Sequence, residues 1–263
     1  MDHNDTTNAT RAEMILQELL RTGEVSVNSL AMRLKVTSAT IRRDLTSLER
    51  RGLLLRSHGG AVPVEPALYE PFRHVSSFSE QERRRETEKR RIGLAAARLV
   101  LDGETVAFGA GTTTTQVARS IRHRKGITVM TNAVNIAMEL SHREDIKVFL
   151  TGGEVSGAWF ALVGPAAQQQ ASEMFVDKVF IGVDGIHVAN GLTTNYPDQA
   201  AIHRMLMRQA RQRIVVADHS KIGIVATAVI WPAGDIDILI TDHKASAKSI
   251  APFTKEGIKV VLA

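Results

Sequence analysis

No cysteine occurs anywhere in the 263 residues. That removes disulfides, thiolate metal sites and cysteine nucleophiles, and gives no reason to place the chain in an oxidising compartment; the cytoplasm is the simplest location. No uninterrupted apolar run approaches the roughly 20 residues that a membrane helix needs. The opening Met1-Asp2-His3-Asn4-Asp5-Thr6-Thr7 lacks the basic start and apolar stretch of a signal peptide. Nine histidines are present but none recurs at His-x-x-x-His spacing, so neither a metal nor any other cofactor is expected. Charge of one sign is not in large excess: 33 Lys and Arg against 28 Asp and Glu leave +5, a weak preference for an acidic partner. Proline is scarce too, yet three of the seven, Pro63, Pro66 and Pro71, crowd together. Proline holds itself and its predecessor extended, so a stiff linker is expected there.

With 44% hydrophobic residues the chain can bury a core on each side of that linker. Residues 10–61 read as three short helices and a hairpin, 62–81 as the linker, and 82–263 as alternating strand-like and helical runs. The mixed-charge run from Glu82 to Arg91 reads as a solvated helix face, with DNA backbone contact or a subunit interface as alternatives.

Thr10-Arg11-Ala12-Glu13 fits a capping box ahead of an apolar stripe, Ile15, Leu16, Leu19 and Leu20, so a first helix is expected to about Thr22, with Gly23 ending it. Ser26 suits the cap of a short second helix, and Lys35-Val36-Thr37 a tight turn into a third beginning near Ser38. In that third helix Ile41, Leu45 and Leu48 share one face. Ala39, Arg43, Ser47 and Arg50 fall on the opposite one, with Thr40 and Arg42 on its flanks. A groove-reading helix needs this division, because its first side chains reach base edges while free amides and basic groups hold phosphates. Arg42 and Arg43 are the leading candidates, since a guanidinium fork pairs with guanine or with phosphate oxygens. Leu53-Leu54-Leu55-Arg56-Ser57-His58-Gly59-Gly60-Ala61 reads as a wing hairpin, with Arg56 and His58 either touching flanking DNA or lying idle on its surface. By itself the helix reads as a solvated one carrying two arginine pairs.

Val36-Thr37-Ser38-Ala39-Thr40-Ile41-Arg42-Arg43-Asp44-Leu45, followed by Leu48-Glu49-Arg50-Arg51-Gly52 and His58-Gly59-Gly60-Ala61, resembles the start of DeoR-type bacterial repressors. The resemblance implies a winged helix-turn-helix whose DNA-binding residues are Ser38, Ala39, Thr40, Arg42, Arg43, Ser47, Arg50, Arg56 and His58.

Downstream, Thr105-Val106-Ala107-Phe108 reads as a buried strand running into Gly109-Ala110-Gly111-Thr112-Thr113-Thr114-Thr115 and then a helix. Glycines let amides converge, hydroxyls add donors and a helix N-terminus adds partial positive charge, which suits phosphate. The pattern is neither a Walker loop nor Gly-x-Gly-x-x-Gly, and alone it is equally a plain strand-to-helix turn. Similar junctions end at Thr131-Asn132, Gly152-Gly153 and Asp184-Gly185, and further strands precede Asp218-His219-Ser220-Lys221 and Thr241-Asp242. In an open α/β sheet, ligands bind outside the carboxyl ends of the strands, so these junctions are expected to converge on one crevice.

Here too the chain is similar to the DeoR family, whose sensor shares its fold with ribose-5-phosphate isomerase and coenzyme A transferases. The matching strings are Gly111-Thr112-Thr113, Thr131-Asn132, Gly152-Gly153, Val163-Gly164-Pro165, Gly182-Val183-Asp184-Gly185 and Gly191-Leu192-Thr193-Thr194. The implied architecture is α/β: a small winged helix-turn-helix domain plus a larger open-sheet domain resembling ribose-5-phosphate isomerase. By the same resemblance Gly109, Gly111, Thr112, Thr113 and Thr114 hold a phosphate, and Asn132, Asp184 and Lys221 face a sugar, with Ala110 and Gln199 beside them. Two positions depart from the family's pattern, which has a glutamate and then Lys-Arg where this chain has Gln199 and then His203-Arg204. A neutral glutamine abstracts no proton, which speaks against the alternative of a sugar-phosphate-converting enzyme with an N-terminal appendage. A third possibility is a DNA-binding module joined to a protein-interaction domain. The implied regulator binds double-stranded operator DNA and a small phosphorylated sugar, forms a homo-oligomer, and releases DNA when the ligand binds.

Overall fold

The computed structural model describes residues 3–51, 53–63, 76–121 and 123–263. The chain divides into two compact units, residues 1–67 and 68–263. Most of the expected linker, 64–75, and Gly52 lie outside the described residues.

The first unit packs α1 (His3–Thr22), α2 (Val27–Leu34) and α3 (Ser38–Arg50) beside a small antiparallel sheet of β1 (Val25–Ser26), β2 (Leu55–Ser57) and β3 (Gly60–Val62), in the order β1-β3-β2. α1 is already under way at Thr10, so the capping box expected there is not a helix start. Gly23 ends α1 at φ +82° and donates its N–H to the Leu19 carbonyl. Ser26 caps α2 as expected, its hydroxyl accepting from the Ser29 N–H, and Thr37 does the same for α3 through the Thr40 N–H. Ile15, Leu19, Leu30, Ile41, Leu45 and Leu48 form the centre of the core. Arg11 of α1 grips Asp44 of α3 with two hydrogen bonds of 2.6 and 2.9 Å, a fork-to-carboxylate pair that sets the third helix against the first.

The second unit opens with α4 (Ser76–Arg83), which occupies residues expected to be linker, and α5 (Glu86–Ala97). Then come β4 (Thr105–Phe108), α6 (Thr112–Ser120), β5 (Ile127–Thr131), α7 (Val134–Ser141), β6 (Ile146–Leu150), β7 (Glu154–Ser156), β8 (Ala161–Val163), α8 (Pro165–Ser172) and β9 (Val176–Ile181). The remainder is β10 (Gly185–His187), β11 (Gly191–Thr194), α9 (Pro197–Arg208), β12 (Ala210–Val216), β13 (Ala228–Trp231), β14 (Ile238–Thr241), α10 (Ala247–Lys255) and β15 (Lys259–Leu262). Seven strands pair in parallel in the order β15-β14-β12-β9-β4-β5-β6. Chain order runs outward from β4 through β5 to β6, and in the opposite direction from β9 through β12 and β14 to β15. The two directions part between β4 and β9, which is where a parallel sheet opens a crevice at its carboxyl edge. The central strands are buried on both faces, as helix-covered parallel strands must be. Two antiparallel additions, the β7–β8 hairpin and the sheet β10-β11-β13, were not foreseen from the sequence.

Candidate functional site

In the first unit, Ala39, Arg42, Arg43, Ser47 and Arg50 are exposed along α3, while Ile41, Leu45 and Leu48 are buried beneath them. The guanidinium groups of Arg42 and Arg43 pair with no carboxylate among the described residues, so both are available to an external acceptor. Ser38 is half-buried, and Thr40 is tied to the cap, its hydroxyl 2.9 Å from that of Thr37. His58 is exposed in the hairpin turn. Arg56 behaves differently from the expectation: it turns back onto α3, donating to the Thr46 hydroxyl at 3.0 Å, while its own N–H is taken by Glu49 at 3.1 Å. Its work is to brace wing and helix. Gly60 is required for that packing, because a Cβ there would sit 1.9 Å from the Val25 carbonyl oxygen.

In the second unit, β4 delivers the chain to Gly109-Ala110-Gly111 at the head of α6. The helix has no side-chain cap, and the first amides of a helix have no partner within it, so the N–H groups at its start border an open crevice. Ala110, Gly111, Thr112 and Thr113 line that crevice, as do Asp184, Gln199 and Lys221. Each was expected from the sequence. Gln199 braces the loop, its amide donating to the Ala110 carbonyl at 3.1 Å. Asp184 accepts from the Thr194 hydroxyl and the Asn195 N–H, both at 2.9 Å, and its other oxygen lies 3.7 Å from the Lys221 ammonium.

The other expected ligand contacts stand behind the wall. Asn132 is fully buried, accepting from the Ala110 N–H and donating to the Leu162 carbonyl, so it shapes the loop from beneath. Thr131 and Thr114 spend their hydroxyls on the Phe108 and Gly111 carbonyls. Gly152 donates its N–H to Gln170, Gly153 lies against the Val163 carbonyl, and Gly185 against that of Ile224. Gly109 makes room for His203: a Cβ at Gly109 would come within 2.7 Å of the imidazole Nε2. His203 is not an exposed helix residue but wholly buried on α9, and neither ring nitrogen has a hydrogen-bond partner. Burial pushes its pKa down to about 4, with Asp184 opposing the shift.

Several further residues line the crevice. Lys89, inside the run taken for a solvated face, is 4% exposed and reaches the crevice from α5. Its ammonium donates to the Gln81 carbonyl, and desolvation lowers its pKa to about 8 despite the nearby Asp218 carboxylate. Asp218 also lines the crevice, with the Arg85 guanidinium 3.6 Å away. Trp159, from the turn between β7 and β8, and Tyr196 sit together at 5.3 Å between ring centroids, and both line the crevice. The position of Trp159 in the Gly157-to-Gly164 loop offers it from the sequence as a cover for the pocket or as core or loop packing; nothing in the pattern marks Lys89.

The arrangement gathers amide dipoles, the Lys89 and Lys221 ammonium groups, the Asp184 and Asp218 carboxylates, the Gln199 amide and two aromatic rings around one crevice. Such a lining can hold an anion and accept hydrogen bonds from hydroxyl groups. Against known proteins, the DeoR C terminal sensor domain matches residues 84–243 and the DeoR-like helix-turn-helix domain residues 11–67. The chain belongs to the DeoR family.

This DeoR-family chain is 38% identical over 236 residues to the HTH-type transcriptional regulator GlpR of Haloferax volcanii, covering 90% of each chain. It is 31% identical over 252 residues to the HTH-type transcriptional repressor GlcR of Bacillus subtilis, covering 96% of this chain and 95% of that one. Among solved structures it is similar to ribose 5 phosphate isomerase A from Neisseria gonorrhoeae, with a TM-score of 0.38 and 16% identity over 54% of this chain and 53% of that one. A likeness so loose carries no argument; the fold rests on the strand order. Family membership makes this DeoR-family protein a transcriptional regulator, with a helix-turn-helix reader and a sensor domain, and not an enzyme. No helix among the described residues is long and apolar enough to cross a membrane.

Proposed function

We propose that this regulator is a cytoplasmic repressor of a sugar-metabolism operon, binding operator DNA as a homo-oligomer and releasing it when a phosphorylated sugar occupies the crevice. The observation that carries the ligand assignment is one crevice lined by the uncapped α6 N-terminus and the buried Lys89 ammonium together with the Asp184 and Asp218 carboxylates. The first pair favours a phosphate; the carboxylates favour the hydroxyls of a polyol and disfavour a second anion. Thr112 and Thr113 supply amides to the phosphate, and Lys221, Gln199 and Asp184 orient the sugar. Arg42 and Arg43 carry the grip on DNA, with Arg50 and Ser47 along the same face and His58 at the wing. A dimeric reader matches operators that repeat about a dyad. Coupling requires only that the ligand bind the DNA-competent and incompetent states unequally.

Selection of bound fragments from random duplex DNA, with and without sugar phosphates, tests both halves. The expected result is an enriched, near-symmetric motif that is lost when the right sugar phosphate is present. Exchange of Arg42 and Arg43 for alanine is expected to abolish retention without unfolding the chain. A folded protein that retains no duplex at low salt, with or without sugar phosphate, would overturn the proposal.

A further inference from the structure

Helix α4 is the first described element after the reader in sequence, and three contacts fasten it to the sensor. Phe78 is buried and packs edge-on against Phe160, with ring centroids 5.1 Å apart. Glu82 pairs with Arg119 of α6 at 2.7 Å, and Arg119 reaches on to the buried Glu139 of α7 at 2.8 Å. The third contact is the Lys89 ammonium on the main-chain carbonyl of Gln81. That carbonyl is among the last four of α4, which have no N–H partner inside the helix, so the buried cation closes the helix's C-terminal end. A helix of eight residues is too short to hold by itself; these contacts keep it in place.

Two of the groups involved also belong to the crevice. Gln81 and Lys89 line it, and so does Trp159, the neighbour in sequence of the Phe160 ring that receives Phe78. A molecule in the crevice therefore meets α4, the cation that caps it, and the turn it packs on. Resting on the reading of the crevice as a phosphorylated-ligand site, we propose that α4 is the element through which occupancy is reported: an anion held between the α6 N-terminus and Lys89 fastens α4 to the sensor. An ammonium has three donors, so Lys89 can bond the anion and keep the Gln81 carbonyl. The anion also supplies the counter-charge that this dry position otherwise draws only from Asp218 and Glu82. A ligand that binds the fastened state better shifts the population towards it, and by reciprocity whatever loosens α4 weakens the ligand.

The test is hydrogen exchange of the amides in 76–85, with binding followed in parallel by calorimetry, for the full chain titrated with inorganic phosphate and, separately, ribose 5-phosphate. Saturation is expected to slow exchange of these amides by about fivefold or more, the lower end of ordinary coupling. Phe78→Ala, which removes a contact outside the crevice, is expected to weaken binding by a similar factor. Should that variant fail to fold, Glu82→Gln makes the same test through the Arg119 contact. Binding with unchanged α4 exchange and unchanged affinity in the variants would overturn the role of α4 and leave the phosphorylated-ligand reading intact. No binding of either compound by the folded wild-type chain would overturn both.

Discussion

His203 lies against Gly109 with both ring nitrogens unpartnered, and burial lowers its pKa to about 4 from an ordinary 6.5. The unfolded chain takes up a proton on this imidazole below about 6.5, whereas the folded chain does so only near 4. Stability therefore falls as pH drops between those values, by about 3 kcal/mol in all. The expected result is a steeper loss of denaturant midpoint from pH 6.5 to 4.5 in the wild type than in His203→Leu. Parallel curves for the two would show that the imidazole is not dry. Lys89 works in the opposite pH range. Phosphate needs its charged form, so affinity measured by calorimetry is expected to weaken as pH rises through about 8; constant affinity up to pH 9 would take Lys89 out of contact with the anion. Neither residue declared itself in the sequence. A lysine in a run of Arg and Glu looks solvated because residue type says nothing of depth, and the Lys89 side chain meets Gln81 and Asp218 only after α5 has packed on the sheet. Gly109 and Gly111 were legible because a strand, a glycine loop and a helix follow one another along the chain.

At the scale of elements, α3 and the wing were readable nearly to the residue, since Ile41, Leu45 and Leu48 repeat at the helical period and Thr37 supplies a cap. The same local logic misplaced the start of α1: a capping pattern at Thr10 is overridden by helix on its N-terminal side. It also left β7, β8, β10, β11 and β13 unseen: strands of three or four residues were legible only where a turn or a strand-to-helix junction marked them, as at the wing and at β4. Two substitutions probe the reader's assembly. Gly60→Ala drives a Cβ into the Val25 backbone, so the β1–β3 pairing is expected to open and operator affinity to fall, which binding and circular dichroism together would detect. Asp44→Ala removes the carboxylate that Arg11 grips with two hydrogen bonds. It is expected to lower stability of the reader by about 2 kcal/mol, measured by denaturant unfolding; a change near zero would mean that water replaces the pair without cost.

Over the whole molecule, the two units have separate cores, one centred on Ile41 and Leu45 and the other on Phe108, Phe180 and Val215. Scanning calorimetry is expected to resolve two transitions, with phosphate raising only the sensor's and Leu45→Ala lowering only the reader's. A single transition moved by both would make the chain one cooperative body. The doubly wound character of the sensor was legible from its alternation of apolar runs and helices; the strand order was not, since nothing local tells β9 to pair with β4. That order has a bearing on descent. The amides proposed to hold an anion come from the chain leaving β4, whereas Asp184, Gln199 and Lys221 come from segments beyond β9. On that proposal, drift in the later half retunes which metabolite is recognised while the anchor is inherited untouched. A lineage built this way acquires new inducers by editing one flank of a cleft.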